Sequence, residues 1–101
     1  MIVYNLTVNV AHHIHEEWIK WVKEENKAHI LSLGIFTDYK VFRLINIDET
    51  DGPTFAIQMF ADNIELVNRY LTDFAPEIRK FSEERWGNNI YYYRTLMESV
   101  Q

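Results

Sequence analysis

Cysteine is absent from this chain of 101 residues, which removes disulfides, thiolate metal sites and a cysteine nucleophile together. That lack suits a reducing compartment, and the cytoplasm is the expected location. Proline and glycine are scarce, at two and three residues, and no linker, repeat or low-complexity tract divides the chain, so a single domain over residues 1–101 is expected. Positive charge is also in deficit. Ten basic residues stand against fifteen acidic ones for a formal charge of -5. The basic residues are scattered, so the electrostatic footprint of nucleic-acid binding is missing and no nucleic-acid partner is expected. No run approaches the ~18 apolar residues of a spanning helix, and residues 1–11 lack the basic start and long apolar core of a secretory leader. Neither membrane insertion nor export is expected. What the chain does have is apolar material, 48% hydrophobic and 15% aromatic, ample for a core at this length.

The pattern is that of alternating strands and helices. Ile2 to Val10 alternates strictly, with Ile2, Tyr4, Leu6, Val8 and Val10 on one face and Val3, Asn5, Thr7 and Asn9 on the other, as in a half-buried strand. His13 to Gly34 then reads as one long amphipathic helix. Wound at about 100° per residue, it gathers Ile14, Trp18, Trp21, Val22, Ala28 and Leu33 on a broad side, with His15, Glu25, Asn26 and His29 on or beside it. Glu16 and Glu17 favour its first turn and Gly34 its end. Ile35–Ile47 and Thr54–Ala61 form a hairpin about the turn-forming DETDGP cluster. A second helix starts at Asp62 with Glu65 as a capping box. Pro76 opens a fresh helix or kinks the old one, with Ile78, Phe81 and Arg85 continuing a partly apolar side to Trp86. Gly87, Asn88 and Asn89 end it, and Ile90–Val100 is the last strand.

The order βαββαβ implies an α+β, ferredoxin-like sandwich, a four-stranded antiparallel sheet with both helices on one face. On the strand phases alone, the helix-free face gathers Asn5, Thr7, Arg43, Gln58, Phe60, Tyr92, Arg94 and Leu96, too apolar a mixture to stay open. A second copy of the same sheet is the economical cover, giving a homodimer of the dimeric α/β-barrel kind through that face.

Few residues suggest chemistry. Glu25 and His29, at i and i+4, can meet on one helix face and could act as a base with its orienting carboxylate, or be an ordinary surface pair, which is the commoner case. His12, His13 and His15 invite a metal, but His13 and His15 point to different sides and no carboxylate completes a tetrahedral set, so no metal is expected. Trp18 belongs to the core, a dimer contact or a ligand wall. Arg43, Gln58 and Arg94 interrupt apolar strand patterns and would converge on the helix-free face, serving an interface network or, with Trp18 and Tyr93, a small anionic or aromatic ligand. Arg79, Lys80, Glu83, Glu84 and Arg85 read as a solvated, mixed-charge surface.

The segments VYNLTVNV, IHEEWIKWVK, GIFTDYKVFRL, DETDGPTFAIQ, the pair Ala75 and Pro76, and YRTLMES make the chain similar, nearly end to end, to a mainly bacterial family of about this length classed as a domain of unknown function. The resemblance implies a ferredoxin-like or dimeric α/β-barrel fold and brings no substrate, cofactor or catalytic residue. The family pattern has a His-Ile-Pro turn after the Trp-rich part of the first helix; here Asn26, Lys27 and Ala28 stand there, and His29 lies at a different helical angle. The function expected is that of a non-catalytic homodimeric module for protein contacts or a small ligand, with no cofactor. The alternative is a cofactor-independent monooxygenase-like enzyme. That would need a cavity of several hundred cubic ångströms between helices and sheet, lined by residues such as Trp18, Glu25, His29 and Tyr93. RNA binding on the open sheet is disfavoured by Asn5 and Thr7 and by the acidic balance.

Overall fold

Alternation of apolar and polar residues fixes which side of each strand faces inward, and cross-strand pairing then sets the whole sheet. The computed structural model describes residues 1–100. Strand β1 (Ile2–Val10) leads through a 3-10 turn at His12–Ile14 into α1 (His15–Trp21), a π-helical segment (Val22–Asn26) and α2 (Lys27–Ser32), which together form one continuous first helix. The hairpin strands β2 (Asp38–Arg43) and β3 (Thr54–Ala61) follow, then helices α3 (Ile64–Asp73) and α4 (Ala75–Trp86), and finally β4 (Ile90–Glu98). The strand order is β2-β3-β1-β4, antiparallel throughout. This is the ferredoxin-like arrangement read from the sequence.

Tyr4 pairs across the sheet with Met59 and Leu96, and Leu6 with Ile57 and Arg94, so one face carries the inward side chains under the helices. Tyr4, Val8, Val10, Phe55, Ile57 and Met59 are all buried there, against Trp18, Val22, Ile30, Val67 and Tyr70. Aromatic contacts join the layers: Tyr4 and Tyr70 meet edge to face at 5.5 Å, and Trp18 lies 5.4 Å from Phe55.

Several boundaries differ from the sequence expectation for local reasons. The second strand spans Asp38–Arg43 rather than Ile35–Ile47, because Ile35 and Phe36 turn down into the core and Asn46 adopts a left-handed φ of 58° that takes the chain out of the sheet. Asn63, not Asp62, caps α3, its Oδ1 accepting from the Leu66 amide at 3.0 Å. Pro76 lies in the first turn of α4, where its missing N–H costs nothing, so the chain starts a new helix.

The largest departure is inside the first helix. A π turn holds one more residue than an α turn, so the buried row through Trp18 and Val22 continues at Asn26 and Ile30 rather than at Glu25 and His29. Ile30 is fully buried, while Ala28, expected on the apolar side, is exposed. The turn is held by Tyr39 of β2, whose hydroxyl donates to Asn26 Oδ1 at 2.5 Å.

Gly52 secures the far end of the hairpin loop. Its φ is +111°, and a Cβ there would lie 1.9 Å from the Val10 carbonyl oxygen. Only glycine fits where the loop closes on β1 and the Val10 amide donates to the Pro53 carbonyl at 2.9 Å.

Candidate functional site

Most of the residues that the sequence singled out fall in three places rather than one. The first is a groove of about 770 Å³ between the first helix and α4, lined by Trp21, Glu25, Asn26, His29, Phe81 and Arg85 among others. Both halves of the Glu25–His29 pair are here, but Glu25 is exposed and bonds across the groove to Arg85, whose Nη1 donates to its Oε2 at 3.3 Å. The phase shift of the π turn explains this: it moves Glu25 and His29 off the buried row onto the flank that faces α4. Trp21 and Phe81 stack at 6.1 Å with 23° between their planes, and Trp86 meets Trp21 edge to face at 5.8 Å. Helix α4 thereby covers the second side of the first helix.

The second place is a small cavity of about 70 Å³ between helices and sheet, lined by Tyr4, Trp18, Tyr70, Arg79 and Tyr92 among others. It is far below the ~300–1,000 Å³ of ordinary ligand pockets. Trp21, Asn26 and Ile78 line both this cavity and the outer groove, so one thin wall separates them. The groups here with displaced acidities are tyrosines. Burial pushes the Tyr70 and Tyr92 phenols up, with the neighbouring Tyr4 adding to it and Arg79 acting the other way. They are proton donors at neutral pH rather than bases.

The third place is the open sheet face. Cross-strand pairing aligns Lys40, Gln58, Asn5 and Thr95 in one polar row. On one side of it run Phe42, Ala56, Thr7 and Tyr93, and on the other Asp38, Phe60, Val3 and Met97. Charge is confined to the β2 edge, where Lys40 lies 4.0 Å from Asp38 and 5.5 Å from the Phe60 ring centroid. Asn5 is only 8% exposed, its amide donating to Thr7 Oγ1 at 3.1 Å, whereas Tyr93 is 64% exposed.

The expected convergence of Arg43, Gln58 and Arg94 does not occur. Arg43 pairs with Phe55, and Arg94 with Leu6, which places both arginines on the helix side of the sheet, with Tyr92 and Leu96, while Gln58 stays on the open side. Arg43 donates to Glu49 in the hairpin loop at 2.8–3.2 Å, and this bond holds the Glu49 carboxyl below its usual range. Trp18 is buried at the inner cavity. The set Trp18, Glu25, His29 and Tyr93 is thus divided among all three places. Among the described residues, no three His, Asp or Glu side chains come together as metal ligands, and no helix is long and apolar enough to cross a membrane.

The sequence reading missed Arg85 and Phe81 as groove residues, though their spacing along α4 with Ile78 was a signal. It also missed the Tyr39–Asn26 bond, for which a polar residue on the first helix's apolar side was the only clue.

Solved structures share the fold at low identity. A dimeric ferredoxin-like protein from an uncultured marine organism is 11% identical with a TM-score of 0.72, over 99% of this chain and 95% of the other. A proposed antibiotic biosynthesis monooxygenase from Deinococcus radiodurans is 13% identical with a TM-score of 0.68, over 100% and 94%. A hydroxynitrile lyase from Passiflora edulis is 13% identical with a TM-score of 0.61, over 99% and 96%. No curated protein matches the chain. A family model described as a domain of unknown function, DUF4286, matches residues 1–100, and the chain belongs to that family.

Proposed function

We propose that the protein is a non-catalytic homodimeric module, two copies joined through their open sheet faces, with each protomer presenting its outer groove to a small ligand. The open face carries this reading. It is an uncharged polar row flanked by apolar and aromatic rows, with ions only at one edge. A two-fold axis lets such a surface complement itself: Gln58 and Thr95 can exchange hydrogen bonds across the axis while Phe42, Phe60, Tyr93 and Met97 are covered. The molecule is a slab of 37 × 32 × 20 Å, and its broad side exceeds the ~800 Å² that each partner gives to a standard interface. Two of the structures that share the fold are dimeric ferredoxin-like proteins, which agrees. The cysteine-free composition supports a cytoplasmic setting.

The monooxygenase-like alternative has the inner cavity in its favour, but about 70 Å³ gives little room for a substrate. Without Glu25 or His29 there, that cavity also has no base suited to neutral pH. Sedimentation or light scattering at micromolar concentration tests the dimer. A dimer is expected, and Thr7→Arg, which sets a charge in the middle of the face, is expected to yield a folded monomer. A monomeric wild-type protein would overturn the reading.

A further inference from the structure

We propose that the groove between the first helix and α4 takes a small organic cation with an apolar or aromatic body, an inference that rests on the small-ligand reading above. The groove's walls are mostly apolar, with Trp21, Phe74, Ile78 and Phe81 among them. Phe81 is 51% exposed although it is stacked on Trp21. A large aromatic left open inside a concave site of this volume is the sort of wall that an apolar ligand covers.

The sign of the ligand follows from the charges. Glu25, Glu77, His29 and Arg85 line the groove. Glu25 and Arg85 offset each other across it, which leaves Glu77 to make the site negative at neutral pH, on a chain of formal charge -5. Arg85 already shows how the site receives a cation. Its guanidinium lies 4.9 Å from the Trp86 ring centroid while it bonds to Glu25, so a carboxylate and an aromatic face hold one positive charge between them. A ligand ammonium would repeat that arrangement with Glu77 or Glu25 as carboxylate and Trp21 or Phe81 as ring. The Arg85–Glu25 pair is solvent-exposed and so worth little in stability, which lets a ligand cation compete with Arg85 for the same carboxylate.

The test titrates three probes of one shape, phenethylammonium, phenylacetate and benzyl alcohol, into the full-length protein and follows the Trp21 indole N–H resonance. The ammonium compound is expected to bind best and to weaken with salt. Glu77→Gln should weaken it about fivefold, and Arg85→Ala should tighten it by a similar factor, as each changes the site by one exposed charge. Both positions are exposed, and circular dichroism of each variant checks its fold. Preference for phenylacetate, or loss of ammonium binding in Arg85→Ala, would overturn the proposal, as would equal affinity for the neutral alcohol or no binding of any probe. Light scattering on the same samples separates the two readings: a dimer that binds no ammonium refutes the ligand and leaves the dimer standing.

Discussion

The bond between Tyr39 and Asn26 should hold the first helix in its π-turned form, and its removal should be measurable in both stability and local opening. Tyr39 is 2% exposed, and its hydroxyl donates to Asn26 Oδ1 at 2.5 Å from a strand to a helix on opposite sides of the core. In Tyr39→Phe the ring stays and the carboxamide oxygen of a half-buried Asn26 loses its partner. Leaving a buried polar group unpaired costs about 1–3 kcal/mol; partial water access to Asn26 through the groove argues for the lower half, about 1–1.5 kcal/mol. Asn26→Ala should cost a similar amount. The double variant should lose much less than the sum, with a coupling of about 1 kcal/mol, since either substitution alone already removes the bond. Urea unfolding at one fixed protein concentration, needed because the proposed dimer would add to stability, gives the three values. Amide exchange in Val22–Asn26 should quicken in each single variant. Additive losses, or a Tyr39→Phe protein as stable as the wild type, would refute the idea that this bond pins the helix.

Alkaline pH should weaken the fold through its buried phenols. Burial holds the pKa values of Tyr39 and Tyr70 well above the ordinary phenol value, so they stay protonated in the folded chain when those of the unfolded chain ionise. Stability is therefore fully present below roughly pH 10 and falls above it by about 1.4 kcal/mol per pH unit for each such group. Urea midpoints between pH 8 and 11.5 measure the fall, which Tyr39→Phe should make shallower by one group's share; an unchanged slope would remove Tyr39 from the account. Gly52→Ala should lower Tm by about 10 °C, because a left-handed φ and a Cβ driven into the Val10 carbonyl together cost about 2 kcal/mol or more in a domain of this size. A melting curve like that of the wild type would show that the loop closes on β1 less tightly than the distances imply.

Strict alternation made Ile2–Val10 and Thr54–Ala61 legible to the residue, because a half-buried strand has no other way to place its side chains. Phase was legible too, since Val41 and Arg43, or Arg94 and Leu96, share a face whatever the fold. Which phase faces the helices was not, for that depends on pairing: Arg43 sits opposite Phe55, and Arg94 opposite Leu6, residues committed to the core side. Arg43 can stay on that side because it is exposed at the end of β2, where it reaches Glu49. In the first helix, a constant pitch carried the reading correctly to Val22 and failed after it. Nothing in residue type announces a π turn, and one extra residue rotates everything downstream. The Glu25–His29 spacing was readable, whereas its partners Arg85 and Phe81 come from a helix some sixty residues away, and only tertiary packing brings them in.

That rotation also bears on function. With a regular α turn, the row from Trp18 and Val22 would run on through Glu25 and His29, and the pair would face the sheet, where burial could tune an acid-base couple. With the π turn, Asn26 takes the inward place, satisfied by a phenol that stays neutral at physiological pH, and the ionisable pair is turned outward to Arg85 and water. The inner cavity is left with Tyr4, Tyr70, Tyr92 and Arg79, which can donate hydrogen bonds, and burial keeps the Tyr70 and Tyr92 phenols protonated. Proteins of one fold include a hydroxynitrile lyase, a proposed monooxygenase and dimeric ferredoxin-like proteins, because the sheet and helices fix only where side chains can point, and individual residues decide the chemistry. In this chain a single added residue in one helical turn sends Glu25 and His29 to the outer groove, where Glu25 meets Arg85 of α4 rather than the buried face of the sheet.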